Sequence, residues 1–229
     1  MTFKELVGID FETFDKDIRG KSFYKFFRPD DDPFQAKELC PLPGFSDHGD
    51  VQGTTVTIID HEFDFETVNS APRDKPQRGY VINSDVYRNQ TTIDCRTAIS
   101  DQWKTIIPED VDPEGWPLVG ANFYIYNDPT ANSFRIHGDE DDNFICHIHG
   151  ETKWELFEDV WRGPRIKEGS KIDEFVMKSG DVLYIPHSRY HRASCNGVPR
   201  VLVSFPINEM EGRQSQYYAM GEKSTVYKQ

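Results

Sequence analysis

Two histidines and one carboxylate suggest a metal site in the second half of the chain. His137 and Asp139 are separated by a single glycine, and His191 lies far downstream. Non-haem Fe(II) oxygenases hold their metal on one face with two imidazoles and one carboxylate, which leaves the opposite face open. The pattern predicts such a site if the fold brings His191 beside the pair. The same ligands also suit zinc or manganese, because ligand type alone does not determine the metal.

Closely spaced strands are expected to position these residues. From Gly120 onward, short β-branched and aromatic segments alternate with turns rich in Gly, Pro, Asn and Asp. Strands are predicted within residues 121–127, 143–149, 153–158, 174–186 and 200–207. Short strands at this spacing indicate a mainly β protein with a double-stranded β-helix, a jelly roll of the cupin type.

The N-terminal part shows weaker and mixed patterns. Aromatic residues at three- and four-residue spacing over 3–27 predict short helices before the break at 28–33. Residues 54–60 are strand-like, and 91–107 read as a helix that ends before Pro108. We expect one domain over residues 1–229, comprising a mixed helical lead-in with supporting strands (1–110), a catalytic barrel core (119–207) and a polar tail (208–229) that forms a loose arm or contacts a partner.

Composition disfavours several classes of partner. The net charge is −13, which repels phosphate backbones and anionic membranes and suits a cationic partner or a small molecule, although it also simply favours solubility. The acidic run Glu140–Asp142 reads as a solvated loop.

Four scattered cysteines and a start without a secretory apolar segment lead us to expect a reduced, cytoplasmic protein. The oligomeric state stays open, a homodimer being one option.

Two segments carry a family resemblance. "HGDEDDNFICHIHGETKWELF" and "GDVLYIPHSRYH" resemble the His-x-Asp strand and the distal-histidine segment of the Jumonji-C and cupin-like 2-oxoglutarate oxygenases. The resemblance covers roughly residues 119–207. It implies that Fe(II) binds His137, Asp139 and His191 as catalytic residues, with 2-oxoglutarate as cosubstrate. It also implies that a C–H bond is hydroxylated, with succinate and CO2 as co-products.

The resemblance also directs attention to residues for the cosubstrate. In most cupin-like relatives a basic residue stands two positions after the strand glycine, where this chain has Thr152. The "GETK" pattern of the demethylase branch makes Lys153 the first choice for binding the distal carboxylate, and Arg200 is the second. Asn143 is placed like an amide found near the cosubstrate, and Tyr124 is a hydrogen-bond donor on the preceding strand or a core aromatic.

A second use of the histidines competes with this interpretation. Plain cupins bind metal through His-x-His, so His147, His149 and His191 would form the ligand set of a non-oxidative isomerase or small-molecule binder. "GDVLYIPHSRYHRASCN" fits the second plain-cupin motif, with Ser188 where glycine is usual. Lys153 and Trp154 stand where the first motif requires glutamate, which favours the oxygenase. His187 follows a proline at a turn and is expected to be exposed.

The resemblance and the charge indicate a class of substrate. Jumonji-C-like members of this size are implied to hydroxylate protein side chains, amino acids or related small molecules. The acidic charge favours a basic polypeptide or a cationic amino acid, and no nucleic-acid or membrane partner is expected.

Overall fold

The computed structural model describes the helical start of the chain, most of the barrel and the last strand. The described residues are 1–34, 36–39, 54–59, 62–69, 80–83, 90–106, 118–126, 136–160, 171–207 and 225–227. Three α-helices are present among them, α1 (Phe3–Val7), α2 (Phe11–Asp17) and α3 (Gln90–Trp103), together with a 3-10 helix at Ala36–Leu39. None of the described helices is long and apolar enough to span a bilayer.

Twelve strands are formed by the described residues. They are β1 (Ser22–Phe26), β2 (Thr54–Ile59), β3 (Glu62–Asn69), β4 (Tyr80–Asn83), β5 (Asn122–Tyr126), β6 (Asp142–His149), β7 (Thr152–Val160), β8 (Lys171–Met177), β9 (Val182–Ile185), β10 (Arg189–Cys195), β11 (Arg200–Ile207) and β12 (Thr225–Val226).

These strands form two main sheets and a hairpin. The larger sheet has the order β12-β1-β9-β6-β11-β5-β4, the smaller has the order β10-β7-β8, and β2 pairs with β3. Every pairing is antiparallel except that of β1 with β12. The predicted jelly-roll fold with N-terminal helices is confirmed.

The larger sheet is covered on both faces. Its outer face packs against the N-terminal helices through aromatic residues that include Phe3, Phe14, Trp103, Phe144 and Tyr184. Its inner face packs against the smaller sheet, where Ile145 and Leu202 of one sheet meet Trp154 and Ala193 of the other. Because both faces are covered, β6 is buried along its whole length except at its last residue, and its polar side chains are buried with it.

Most sequence-predicted elements are found, with three exceptions. The strand expected within 174–186 is divided into the end of β8 and the whole of β9, which belong to different sheets. Residues 22–26, expected to be helical, form β1, whose pairing between β9 and β12 overrides local helical spacing. The end of the C-terminal tail, expected to be a loose arm or to contact a partner, is held against the barrel. Thr225 and Val226 pair with β1, and the Tyr227 amide donates to the Phe23 carbonyl. The intervening residues 208–224 lie outside the described part.

A buried arginine joins the N-terminal helices to the barrel. Arg28, 6% exposed, donates to the carbonyl oxygens of Glu5 and Leu6 at the end of α1 and to that of Gly180 before β9. Its amide donates to the Asp181 carboxylate, and its guanidinium also contacts Asp32. The phenyl rings of Phe26 and Phe34 flank the guanidinium, at 4.9 and 4.3 Å.

Replacing this arginine is expected to destabilise the fold. Arg28→Met leaves three carbonyl oxygens without their donor in a buried place, so the free energy of unfolding should fall by about 3 kcal/mol. Denaturant titration measures it. Lys178→Met, which removes an ion pair of Lys178 with Asp30 at the surface, is the control and should leave the unfolding midpoint unchanged. Equal stability of the two variants would contradict the role assigned to Arg28.

Candidate metal centre

A reciprocal backbone pair brings the two distant histidines together. The His137 amide donates to the His191 carbonyl at 3.1 Å, and the His191 amide donates to the His137 carbonyl at 2.8 Å. This bridge joins the segment before β6 to β10, and the centroids of the two imidazole rings lie 4.3 Å apart. The fold thereby brings His191 beside His137, as the metal site predicted from the sequence requires.

Asp139 completes the group. Its Oδ1 lies 3.4 Å from His137 Nε2, and its Oδ2 lies 3.7 Å from His191 Nε2. One donor atom from each of the three side chains can be chosen so that all lie within 4.8 Å of one another. Two imidazoles and one carboxylate at this separation fit a divalent transition metal that keeps open coordination positions.

The protonation states also suit a metal. Burial raises the pKa of Asp139, but the nearby His191 and His137, with hydrogen bonds from His137 and Asn143, outweigh burial and hold that pKa at about 2. Burial lowers the pKa of His191, although Asp139 opposes this effect. His191 directs Nδ1 to the Arg189 carbonyl at 3.1 Å, which leaves Nε2 for the metal. At neutral pH the group therefore offers an ionised carboxylate and a neutral imidazole.

An amide and a hydroxyl orient the carboxylate. Ser204 donates to the side-chain oxygen of Asn143 at 2.8 Å, which assigns the amide nitrogen of Asn143 to the opposite side. That nitrogen lies 3.5 Å from Asp139 Oδ2. The predicted cosubstrate residue Asn143 thus stands beside the metal group and positions Asp139.

Gly138, between His137 and Asp139, lies too close to a neighbouring backbone segment to carry a side chain. A Cβ on Gly138 would lie only 3.0 Å from the backbone of Ser188. The Ser188 amide donates to the Asp139 carbonyl at 2.8 Å, and Ser188 itself has a φ of +59°, in the left-handed region that glycine adopts most easily. This agrees with Ser188 occupying a position where glycine is usual.

Asp142 is a functional residue that sequence reasoning missed. It is 3% exposed, whereas the acidic run 140–142 was expected to be solvated. Its carboxylate accepts from the Tyr184 hydroxyl at 2.8 Å and from the His187 amide at 2.7 Å. It thereby fixes the turn that leads to His191. Alternation from buried Phe144 could have placed Asp142 on the outer, covered face of β6.

A cavity of about 260 Å³ opens beside the metal group. Besides the three metal donors it is lined by Tyr124, Asn143, Ile145, Trp154, Ala193 and Leu202. Burial raises the pKa of the half-buried Tyr124, so its phenol stays protonated at neutral pH. Trp154 Nε1 is buried without a hydrogen-bond partner among the described residues. The cavity is therefore mostly apolar with a few directed polar groups, as small-molecule sites commonly are.

The barrel interior carries a buried cation. Arg200 is fully buried, its Nη1 donates to Thr152 Oγ1 at 3.1 Å, and its guanidinium lies 4.4 Å from the ring centroid of Tyr126. Burial lowers the pKa of Arg200 while Cys195 and Tyr126 oppose the shift. An arginine remains charged under such conditions, because its ordinary pKa exceeds 12.

Lys153, the first sequence-based choice, is not brought to this cavity. Trp154 and Leu156 face the barrel interior, so the period of two puts Thr152 inside and Lys153 outside. Lys153 is partly exposed, and its Nζ lies 2.7 Å from Glu174 Oε1 on the neighbouring strand β8. Of the two basic candidates, the structure buries only Arg200 between the sheets.

The alternative ligand set is not assembled either. The pairing of β6 with β11 shifts register between Val201 and Leu202, so β6 has an extra residue between His147 and His149. His147 is fully buried, whereas His149 is exposed. Within the described part of the chain, neither residue belongs to a group of three metal-binding side chains. His187 is partly exposed at the turn, as expected.

Comparisons with known proteins agree with this geometry. Residues 101–214 match a family model described as JmjC domain. The bifunctional lysine-specific demethylase and histidyl-hydroxylase NO66 of Drosophila persimilis is 31% identical over 84 residues, which cover 33% of this chain and 12% of that protein. NO66 of Aedes aegypti is 31% identical over 88 residues, covering 34% and 14%. The chain thus spans only a small part of the curated relatives that it matches.

The fold also matches a solved structure. The ribosomal oxygenase YcfD of Escherichia coli, in complex with cobalt and 2-oxoglutarate, superposes with a TM-score of 0.57 at 14% identity. The match covers 91% of this chain and 54% of YcfD. At this identity the likeness shows that the two proteins share a fold.

A substitution at Asp142 tests whether its carboxylate supports the metal group through the turn that precedes His191. Asp142→Asn keeps the shape but makes a weaker acceptor for Tyr184 and His187, so the turn holding His191 should loosen and the affinity for Mn(II) should fall about tenfold or more. Manganese titration followed by electron paramagnetic resonance measures it. Glu140→Gln, at an exposed position of the same acidic run, should bind Mn(II) as the unaltered protein does. Equal affinities for both variants would show that Asp142 does not support the site.

Proposed function

We propose that this protein, whose residues 101–214 are a JmjC domain, is an Fe(II)- and 2-oxoglutarate-dependent oxygenase that hydroxylates a C–H bond of a protein side chain. The convergence of His137, Asp139 and His191 carries the proposal. The donor set fits Fe(II), because two imidazoles and a carboxylate on one side leave positions for the cosubstrate and O2. Bound iron would supply O2 activation, with one oxygen atom entering the substrate and the other entering succinate as 2-oxoglutarate loses CO2.

The protein's own residues prepare the centre for this chemistry. Asn143 and Ser204 hold the Asp139 carboxylate, and the Arg189 carbonyl holds the His191 ring. Ile145 and Leu202 give the cavity apolar walls beside the metal group. Tyr124 and Trp154 line the cavity, and each side chain carries a hydrogen-bond donor that a carboxylate oxygen of the cosubstrate can accept from.

Arg200 is the proposed partner of the distal carboxylate of 2-oxoglutarate. Cupin-like relatives place a basic residue at the position that is Thr152 here, and Arg200 extends from β11 to within 3.1 Å of that threonine's hydroxyl oxygen. The positive charge thus reaches the usual place from a different strand. A buried guanidinium binds a carboxylate strongly, because both are withdrawn from water.

A polypeptide substrate is favoured over a small metabolite. The similar proteins are named as a histidyl-hydroxylase and lysine-specific demethylase and as a ribosomal oxygenase, names that refer to amino-acid residues and to the ribosome. The net charge of −13 and the exposed Glu140 next to the metal ligands favour a basic segment. Free cationic amino acids are the second candidate class, on the same electrostatic ground.

Anaerobic spectroscopy tests the metal assignment. Adding Fe(II) and 2-oxoglutarate without O2 should give a visible charge-transfer band, and Asp139→Ala should lose the band because one of three ligands is gone. His149→Ala is the control: it should keep the band, since His149 is exposed and contributes no ligand. Loss of the band in His149→Ala with retention in Asp139→Ala would establish the plain-cupin ligand set instead.

A matched pair of variants tests the cosubstrate cation. Arg200→Met replaces a buried, positively charged side chain with an uncharged one of similar length, so the dissociation constant for 2-oxoglutarate should rise about a hundredfold. Lys153→Met removes a partly exposed charge already paired with Glu174 and should change that constant little. Calorimetric titration of the Mn(II)-loaded proteins with 2-oxoglutarate measures both. The reverse order of effects would return the assignment to Lys153.

A further inference from the structure

His147 lies in the barrel interior, next to residues that line the cavity, rather than on the surface. It is fully buried, and Leu202, which pairs with it across the sheet, lines the cavity. Ile145, two residues earlier on the same face of β6, lines the cavity as well. Arg200 stands two residues from Leu202 on β11, so His147 and Arg200 flank the same cavity-lining residue.

Thr152 connects the two side chains and determines the tautomer of His147. Thr152 Oγ1 lies 3.1 Å from Arg200 Nη1 and 2.5 Å from His147 Nε2. The guanidinium has only donors, so the hydroxyl accepts from Arg200. The single hydroxyl hydrogen has no other acceptor among the described residues than His147 Nε2. Neutral His147 therefore carries its proton on Nδ1.

The resulting Nδ1–H group has no partner. Among the described residues, nothing accepts from His147 Nδ1, although the atom is buried. A buried donor without an acceptor costs free energy, and native proteins keep few such groups, so this one requires an explanation. Burial and the charge of Arg200 lower the pKa of His147 to about 3, so the ring adds a donor beside Arg200 without adding a second positive charge.

We propose that His147 is a cosubstrate-positioning residue whose Nδ1–H donates to the distal carboxylate of 2-oxoglutarate beside Arg200. This inference rests on the proposed function and deepens it. A carboxylate with two oxygens can accept from the charged guanidinium and from the neutral imidazole together. A 2-oxo acid without a distal carboxylate leaves both donors unsatisfied, so the pair selects for a dicarboxylate.

The tautomer is directly measurable in the unaltered chain. In protein loaded with Zn(II), which holds the cosubstrate without turnover, a long-range 1H–15N spectrum of ¹⁵N-histidine-labelled protein should show His147 with its proton on Nδ1. Adding 2-oxoglutarate should shift that Nδ1 resonance. His147→Asn, which lacks the ring, assigns the signal. A proton on Nε2 overturns the inference.

Binding measurements test the donor itself. His147→Leu should raise the dissociation constant of the Zn(II)-loaded protein for 2-oxoglutarate about tenfold to a hundredfold, as expected for a lost hydrogen bond to a charged group. His147→Asn offers an amide N–H near the place of Nδ1 and should recover most of the affinity. Affinity for 2-oxobutyrate, which has no distal carboxylate, should be the same in all three proteins.

The outcomes separate this inference from the function on which it rests. If the unaltered Zn(II)-loaded protein does not bind 2-oxoglutarate, both are overturned. If it binds, and His147→Leu binds equally well, only the role of His147 is overturned while the oxygenase assignment stands. If His147→Leu does not fold, an Nδ1 resonance of the unaltered chain that does not move on adding 2-oxoglutarate overturns the inference, and one that moves supports it.

Discussion

The reciprocal hydrogen bonds between the backbones of His137 and His191 are the contact on which the candidate site depends. They join a segment entering β6 to a strand of the opposite sheet, and the two imidazoles are brought together as a consequence. Backbone bonds of this kind hold only if nothing separates the two segments. The missing side chain of Gly138 and the left-handed conformation of Ser188 both permit this close approach.

Strand β6 shows how one element serves two purposes. Its odd-numbered residues face the barrel interior, where Asn143 bonds Asp139, Ile145 lines the cavity and His147 bonds Thr152. Its even-numbered residues, among them Asp142 and Phe144, face the helices, where Phe144 packs in the outer aromatic core and Asp142 holds the turn before His191. Side-chain alternation therefore couples the helical layer to the site through a single strand.

Local patterns in the sequence were sufficient for the fold class and for His137 and Asp139, because strand alternation and the His-x-Asp spacing are local features. His191 is distant in sequence and was assigned through the expected jelly roll and the family resemblance. Local patterns were insufficient for His149, since the extra residue in β6 that turns it outward becomes visible only in the pairing with β11. The choice of Lys153 over Arg200 followed a motif, although the apolar Trp154 and Leu156 already indicated which face of β7 is interior. The helix expected at 22–26 became β1 through pairing with distant strands.

The position of the buried cation has physical consequences for its neighbours. A basic residue at position 152 would stand on β7 itself, whereas Arg200 reaches the same place from β11 and needs an acceptor there to hold its guanidinium. Thr152 is small enough to leave room for the Arg200 guanidinium, and its hydroxyl oxygen accepts a hydrogen bond from it. Once its hydroxyl accepts from Arg200, its only proton goes to His147, and the imidazole must direct its own proton elsewhere. An arginine on β11 thus explains why a small hydroxyl residue suits position 152 and how the ring of the buried His147 is oriented.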